Sequence, residues 1–249
     1  MKSFAKINIF LKITGIRGNY HELNSRFVLI KNLFDEISFK SGNFEGFCIK
    51  TETEINGENI INKAYNELCK AGFSHELNEF FKNNCVILKK NIPLGGGLGG
   101  GSSNAATFLK MANEELNLKI SKRNLMKIGA KIGADVSFFL SDEICANVSG
   151  IGEIIMPFDD EIPNFEILQK SVCCDTAKVY KEFRAHFFDT INLKFSAKLS
   201  RLKSSEILAN FKNYMLNDLL VPAQKIYPNL KINNDEFLSG SGSSCFKVK

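Results

Sequence analysis

Pro93-Leu94-Gly95-Gly96-Gly97-Leu98-Gly99-Gly100-Gly101-Ser102-Ser103-Asn104-Ala105-Ala106 is the stretch on which the reading of this chain turns. Six glycines in seven positions remove side chains and free the backbone for positive φ. Residues 85–89 read as a short strand that Pro93 and the glycines stop. Beyond the glycines, Ala105, Phe108, Leu109, Ala112 and Leu116 recur at helical spacing. The first turn of that helix has unpaired N–H groups at the positive end of the helix dipole, which makes an anion site. The hydroxyls of Ser102 and Ser103 add donors. The physical reading is a cradle for phosphates. A flexible linker would have polar flanks, not a strand before and a patterned helix after.

Two familiar phosphate loops do not fit. A Walker A loop ends in Gly-Lys-Ser/Thr, and here Gly101 is followed by Ser102. G-x-G-x-x-G does match at Gly95, Gly97 and Gly100, but in so glycine-rich a run the match is nearly automatic. The acidic residue that should close a strand about 20 positions on is not apparent.

Upstream, residues 4–13 alternate. Ala5, Ile7, Ile9, Leu11 and Ile13 share one face, and Lys6, Asn8, Phe10 and Lys12 the other, the period of a half-buried strand. A turn over Gly15–Asn19 follows, then strand material at 27–39 and 43–50. A helical period over 60–71 is ended by Gly72. Downstream, Ser121 is placed to cap a helix carrying Leu125, Ile128 and Ile132. In Gly133-Ala134-Asp135-Val136-Ser137-Phe138-Phe139 one carboxylate stands between a helix end and an apolar run. Taken alone, Asp135 reads more readily as a cap for the next segment. The glycines and prolines around 150–163 mark the boundary between two domains, 1–152 and 153–249.

The 249 residues suffice for two small domains, and 44% hydrophobic content is ordinary for a globular protein. With 22 Phe and no Trp, the core should be rich in Phe, Ile and Leu. A net charge of +5, spread along the chain, suits anionic small molecules and lacks the basic stripe of a nucleic-acid binder. Seven cysteines without a C-x-x-C pair, and only three histidines, argue against a zinc site or a disulfide framework and for reduced thiols. No signal peptide or bilayer-length apolar run is visible, so a cytoplasmic protein off the membrane is expected.

The glycine stretch resembles the second motif of the GHMP kinases, P-x-x-x-G-L-G-S-S-A. Its longer form looks like the version in the branch acting on 4-diphosphocytidyl-2-C-methyl-D-erythritol. Ala5-Lys6-Ile7-Asn8-Ile9-Phe10-Leu11, with Tyr20-His21 downstream, resembles the first motif. Here Gly18-Asn19 stands where the branch commonly has Asp-Gly, and the turn is one residue shorter. Leu238-Ser239-Gly240-Ser241-Gly242-Ser243-Ser244-Cys245-Phe246 resembles the third motif, and Gly150-Ile151-Gly152-Glu153 a further turn of the family.

The resemblance implies an α+β GHMP kinase fold, with an N-terminal domain like ribosomal S5 domain 2 and a ferredoxin-like C-terminal domain. Family members usually continue past the third motif, so it also implies a shortened C-terminal domain. ATP, with Mg²⁺, would lie along Pro93, Leu94, Gly95, Gly96, Gly97, Leu98, Gly99, Gly100, Gly101, Ser102 and Ser103. Lys6 and Asp135 would be catalytic. Asn8, Tyr20, His21, Thr176 and Tyr180 would bind substrate, with Tyr20 and Tyr180 stacking on the cytosine. No dedicated metal ligand set is expected, and the protein would act as a monomer or homodimer. The implied reaction is phosphorylation of the substrate's 2-hydroxyl in isoprenoid precursor synthesis. The rival readings are a mevalonate- or homoserine-kinase-like activity, against which Tyr20-His21 speaks, a dinucleotide-dependent oxidoreductase, and a nucleotide-binding module without catalysis.

Overall fold

The computed structural model describes residues 1–55 and 57–249. In chain order the elements are β1 (Lys2–Arg17), β2 (Tyr20–Ser41), β3 (Ile49–Lys50), α1 (Ile60–Leu68), α2 (Ser74–Lys82), β4 (Asn84–Lys89), α3 (Gly100–Glu115), α4 (Lys122–Ile132) and α5 (Val136–Ser141). Then come β5 (Cys145–Gly150), β6 (Ile154–Pro157), β7 (Phe165–Leu168), α6 (Thr176–His186), α7 (Leu193–Leu199), α8 (Ser204–Asn210), α9 (Asn213–Leu216), α10 (Leu220–Ile226), β8 (Phe237–Leu238) and β9 (Cys245–Val248).

Packing groups the chain into two compact units, each drawn from separate stretches. The first comprises Met1–Ala5, Ile30–Ile92 and Gly99–Asp142. The later half of β2 pairs antiparallel with β4, Glu36 opposite Lys89 and Ser41 opposite Asn84, and β3 lies parallel to β4. Helix α1 packs on α3, and α4 and α3 both pack on α5. The core is aromatic, as the Phe content suggests. Phe47 stacks on Tyr65 at 4.1 Å, and Phe81 and Phe108 lie 6.1 Å apart. Edge contacts from Phe39 to Phe80, Phe81 and Phe108 complete it.

The second unit comprises Lys6–Leu29, Pro93–Leu98 and Glu143–Lys249. Here the first half of β2 pairs antiparallel with β5, Leu23 opposite Gly150 and Val28 opposite Cys145, and β5 pairs with β6. A second, antiparallel sheet has the order β7-β9-β8. Leu11 and Ile13 of β1 share a buried cluster with Val179 and Phe183 of α6, Leu220 and Ala223 of α10, and Cys245 of β9.

Three local expectations change. Strand β1 runs on to Arg17, so the turn shrinks to Gly18-Asn19, where Gly18 has a φ of 61°. The polar face of β1 is not solvent-exposed: Lys6, Asn8 and Lys12 are 3%, 2% and 7% exposed. Each finds a partner, as burial of polar groups requires. Lys12, for example, pairs with Asp218 and donates to the Met215 carbonyl. The helix expected to stop at Gly72 instead passes through a wider turn, in which Gly72 takes a φ of 104°, and resumes as α2. A glycine kinks the path there without ending it.

All seven cysteines are unpaired. Burial pushes the Cys145 and Cys245 thiols up to about 12 and the Cys174 thiol up to about 11, so all three stay protonated and inert. Among the described residues no helix is long and apolar enough to cross a membrane.

Candidate functional site

In the first unit, the N-terminus of α3 is built from glycine. Gly99 caps it in the left-handed region, φ 70°, and no side chain caps the first turn. Its leading N–H groups therefore keep their capacity to bind an anion. Ser102 is half-buried beside them, whereas Ser103 is 2% exposed and its Oγ accepts a 2.8 Å hydrogen bond from Ser3. Asp135 stands at the N-terminus of α5 with helical φ and ψ, and its side chain makes no capping bond there. The capping role that local sequence suggested is therefore not the one it plays. A Cβ added at Gly133 would lie 3.8 Å from Ser102 Oγ, so the Gly133–Asp135 turn sits beside the first turn of α3. A carboxylate and an uncapped helix end are thus neighbours in one packed unit.

In the second unit, Lys6 Nζ donates to Asn8 Oδ1 at 2.7 Å and to the Gly97 carbonyl at 3.0 Å, and lies 4.6 Å above the Phe27 ring. Asn8 in turn donates to Ser25 Oγ at 2.9 Å. The lysine accepts nothing, so this arrangement fixes which end of the Asn8 amide faces it. The Lys6 N–H also donates to the Leu98 carbonyl at 2.9 Å, joining β1 to the glycine loop through the backbone.

The third motif lies directly on the second. Ser239 Oγ donates to the Gly97 carbonyl at 3.0 Å, and the Ser244 N–H to the Gly96 carbonyl at 3.1 Å. A Cβ at Gly97 would stand 2.1 Å from the Ser239 carbonyl oxygen, and one at Gly96 would stand 2.4 Å from Ser244 Oγ. Glycine is needed at 97 twice over, for this approach and for its φ of 73°.

Three of the expected substrate residues, His21, Thr176 and Tyr180, lie on or against α6. The His21 and Tyr180 rings are 5.0 Å apart and tilted by 38°, and Phe183 meets His21 edge-on at 6.2 Å. Thr176 Oγ1 and Ser241 Oγ are 2.7 Å apart, tying α6 to the third motif. Tyr20 is 65% exposed, so it is His21 and not Tyr20 that the fold brings to Tyr180. Burial, reinforced by Arg184, lowers the His21 pKa below 6.5, keeping the imidazole neutral. Its Nε2 is buried with no hydrogen-bond partner among the described residues.

The hairpin carrying these residues is braced. Arg17 donates to Glu22 at 3.0 Å and to Glu153 at 2.8 Å, and Glu153 also accepts from the Ile151 N–H. That gives the Gly150–Glu153 turn a structural task. Local reading missed Asp35, Lys90 and Asn104, a buried polar group flanking the glycine loop. The Asp35-Glu36 pair inside the largely apolar strand pattern of 27–39 was its one signal.

A relative from Campylobacter jejuni bearing the name 4-diphosphocytidyl-2-C-methyl-D-erythritol kinase is 46% identical over all of this chain and 99% of its own. The chain belongs to the 4-diphosphocytidyl-2-C-methyl-D-erythritol kinase family. Another kinase of that name, from Sulfurimonas denitrificans, is 41% identical over 100% of this chain and 96% of its own. Residues 59–143 match the GHMP kinases N-terminal domain. The crystal structure of a 4-(cytidine 5'-diphospho)-2C-methyl-D-erythritol kinase superposes with a TM-score of 0.74 at 25% identity, covering 100% of this chain and 89% of that one. The fold is that of the GHMP kinases, and the chain is an ATP-dependent small-molecule kinase.

Proposed function

We propose that this chain transfers the γ-phosphate of ATP to the 2-hydroxyl of 4-diphosphocytidyl-2-C-methyl-D-erythritol, a step in isoprenoid precursor synthesis. The observation that carries the reading is the grip of Lys6 on the Gly97 carbonyl. It ties the first motif, with Asn8 and the His21 hairpin on the same strands, to the glycine loop.

ATP lies along Pro93–Ser103, its phosphates on the leading N–H groups of α3. Asp135 accepts the proton of the attacking hydroxyl, and Lys6 offsets charge on the transferring group. Asn8 orients Lys6. His21 and Tyr180 hold the cytosine by its face, Thr176 steadies α6 against the third motif, and Tyr20 closes over the base from its exposed position. The neutral imidazole suits stacking on an uncharged pyrimidine.

Mg²⁺ fits this site as a passenger of the nucleotide. Its ligands would be chiefly phosphate oxygens and water. When bound it neutralises phosphate charge. The unpaired thiols suit a reducing cytoplasm, and the enzyme acts there as a monomer or homodimer.

An ATP-consumption assay against the diphosphocytidyl alcohol, mevalonate and homoserine tests the reading. Turnover should be confined to the first. Faster turnover of either of the others would overturn the substrate assignment.

A further inference from the structure

The chain leaves the first unit after Ile92, forms Pro93–Leu98, and re-enters it at Gly99. Both ends of that excursion are held by one side chain. Asp35 of β2 is fully buried, and its Oδ1 accepts from the N–H groups of Asn91 and Ile92 at 2.7 and 2.8 Å. Its Oδ2 accepts from Asn104 Nδ2, in the second turn of α3, at 2.8 Å and pairs with the Lys90 ammonium. Lys90 Nζ also donates to Asn104 Oδ1 at 3.1 Å, which closes a ring of three side chains.

Donor and acceptor chemistry fixes the polarity of this ring. An ammonium only donates and a carboxylate only accepts, so the Asn104 carbonyl must face Lys90 and its amide must face Asp35. The same amide donates to Ser3 Oγ at 2.9 Å, and Ser3 passes its own proton to Ser103 Oγ at 2.8 Å. Ser103 is therefore an acceptor within the unit. The first residues of α3 are held in one orientation by a chain that begins at Asp35.

We propose that Asp35 is a positioning residue for nucleotide binding. It clamps the chain entering the glycine loop to the start of α3, and so sets the spacing of the phosphate cradle. The inference rests on the reading of Pro93–Ser103 as the ATP site, but not on which alcohol is phosphorylated. ATP binding, which needs no alcohol, is thus the measurement that separates the two.

Asp35→Asn puts an amide where Lys90 and Asn104 need an acceptor. Asn104→Ala frees α3 while leaving Asp35 its bonds to Lys90, Asn91 and Ile92. Calorimetry with MgATP on the full chain should show affinity reduced about tenfold or more in each, the effect of losing a hydrogen bond to a charged group at the cradle. KM for the diphosphocytidyl alcohol should stay within about twofold, a split that general loosening of the fold would not produce. If Asp35→Asn does not fold, Asn104→Ala decides. Unchanged ATP affinity in the folded variants, or equal losses in both KM values, would overturn the clamp. A wild-type chain that binds ATP yet leaves the diphosphocytidyl alcohol untouched would overturn the substrate reading and leave the clamp standing.

Discussion

Lys6 Nζ donates a 3.0 Å hydrogen bond to the carbonyl of Gly97, 91 residues away in the chain. Ser239 Oγ donates to the same oxygen, also at 3.0 Å. One glycine carbonyl thus gathers the first, second and third motifs. It can do so because residue 97 has no side chain to hold the third motif off.

Asp135→Asn should lower kcat on the order of 10²–10⁴-fold, the usual worth of a general base, and leave ATP affinity unchanged. Lys6→Ala should lower kcat similarly through lost charge stabilisation. Single-turnover kinetics alongside ATP calorimetry checks both. Near-normal turnover in Asp135→Asn would return that residue to a structural role.

Gly97 and Gly101 should behave differently, although both lie in the same glycine run. Gly97→Ala meets a backbone carbonyl and a positive φ, and should cost about 1–3 kcal/mol in thermal unfolding. Gly101 lies in the first turn of α3, where an added Cβ would have Ile60 3.5 Å away as its nearest neighbour. Gly101→Val should therefore unfold within about 1 kcal/mol of the parent, yet bind ATP more weakly because its side chain stands over the cradle. Full ATP affinity in that variant would remove the helix end from the nucleotide site.

Tyr180→Ala should raise KM for the cytidine substrate more than Tyr20→Ala does, with KM for ATP unchanged in both. Stacking on a base contributes about 1–3 kcal/mol, and Tyr180 already has its ring against His21 whereas Tyr20 is largely exposed. The reverse ranking in steady-state kinetics would make Tyr20 the stacking residue.

The His21 pKa is lowered, so folded His21 loses its proton at a lower pH than an unfolded histidine. Between that lowered value and 6.5 the unfolded chain binds a proton that the folded chain does not, and stability falls as pH drops through the window. KM for the cytidine substrate should stay level from pH 8 through 6.5 and rise only below it. Chemical unfolding and KM measured across pH should both lose this dependence in His21→Asn. A rise in KM already centred at 6.5 would mean an unshifted histidine.

Periodicity, glycine content and a few ordered motifs made the glycine loop, α3, the Ser121 cap and β1 legible in the chain. The same signals misjudged surroundings. Lys6, Asn8 and Lys12 alternate as on a solvent-facing strand, and alternation reports which face a residue occupies, not what covers that face. Gly72 carries a stop signal, but whether a helix resumes after a glycine kink depends on what the next turn packs against. Leu77 and Phe81 of α2 are fully buried.

By itself, then, the sequence determined what short-range chemistry dictates: where the backbone can take positive φ, where a helix starts uncapped, and which polar residues share a strand face. Only the tertiary structure decided the pairings that local patterns cannot encode. Gly97 receives Lys6 and Ser239, His21 faces Tyr180, and Asp35 joins Asn91, Ile92 and Asn104. Each pairing joins residues that are dozens to well over a hundred positions apart. Such partners are selected by the topology of the whole chain and by the requirement that every buried donor and acceptor be satisfied at once.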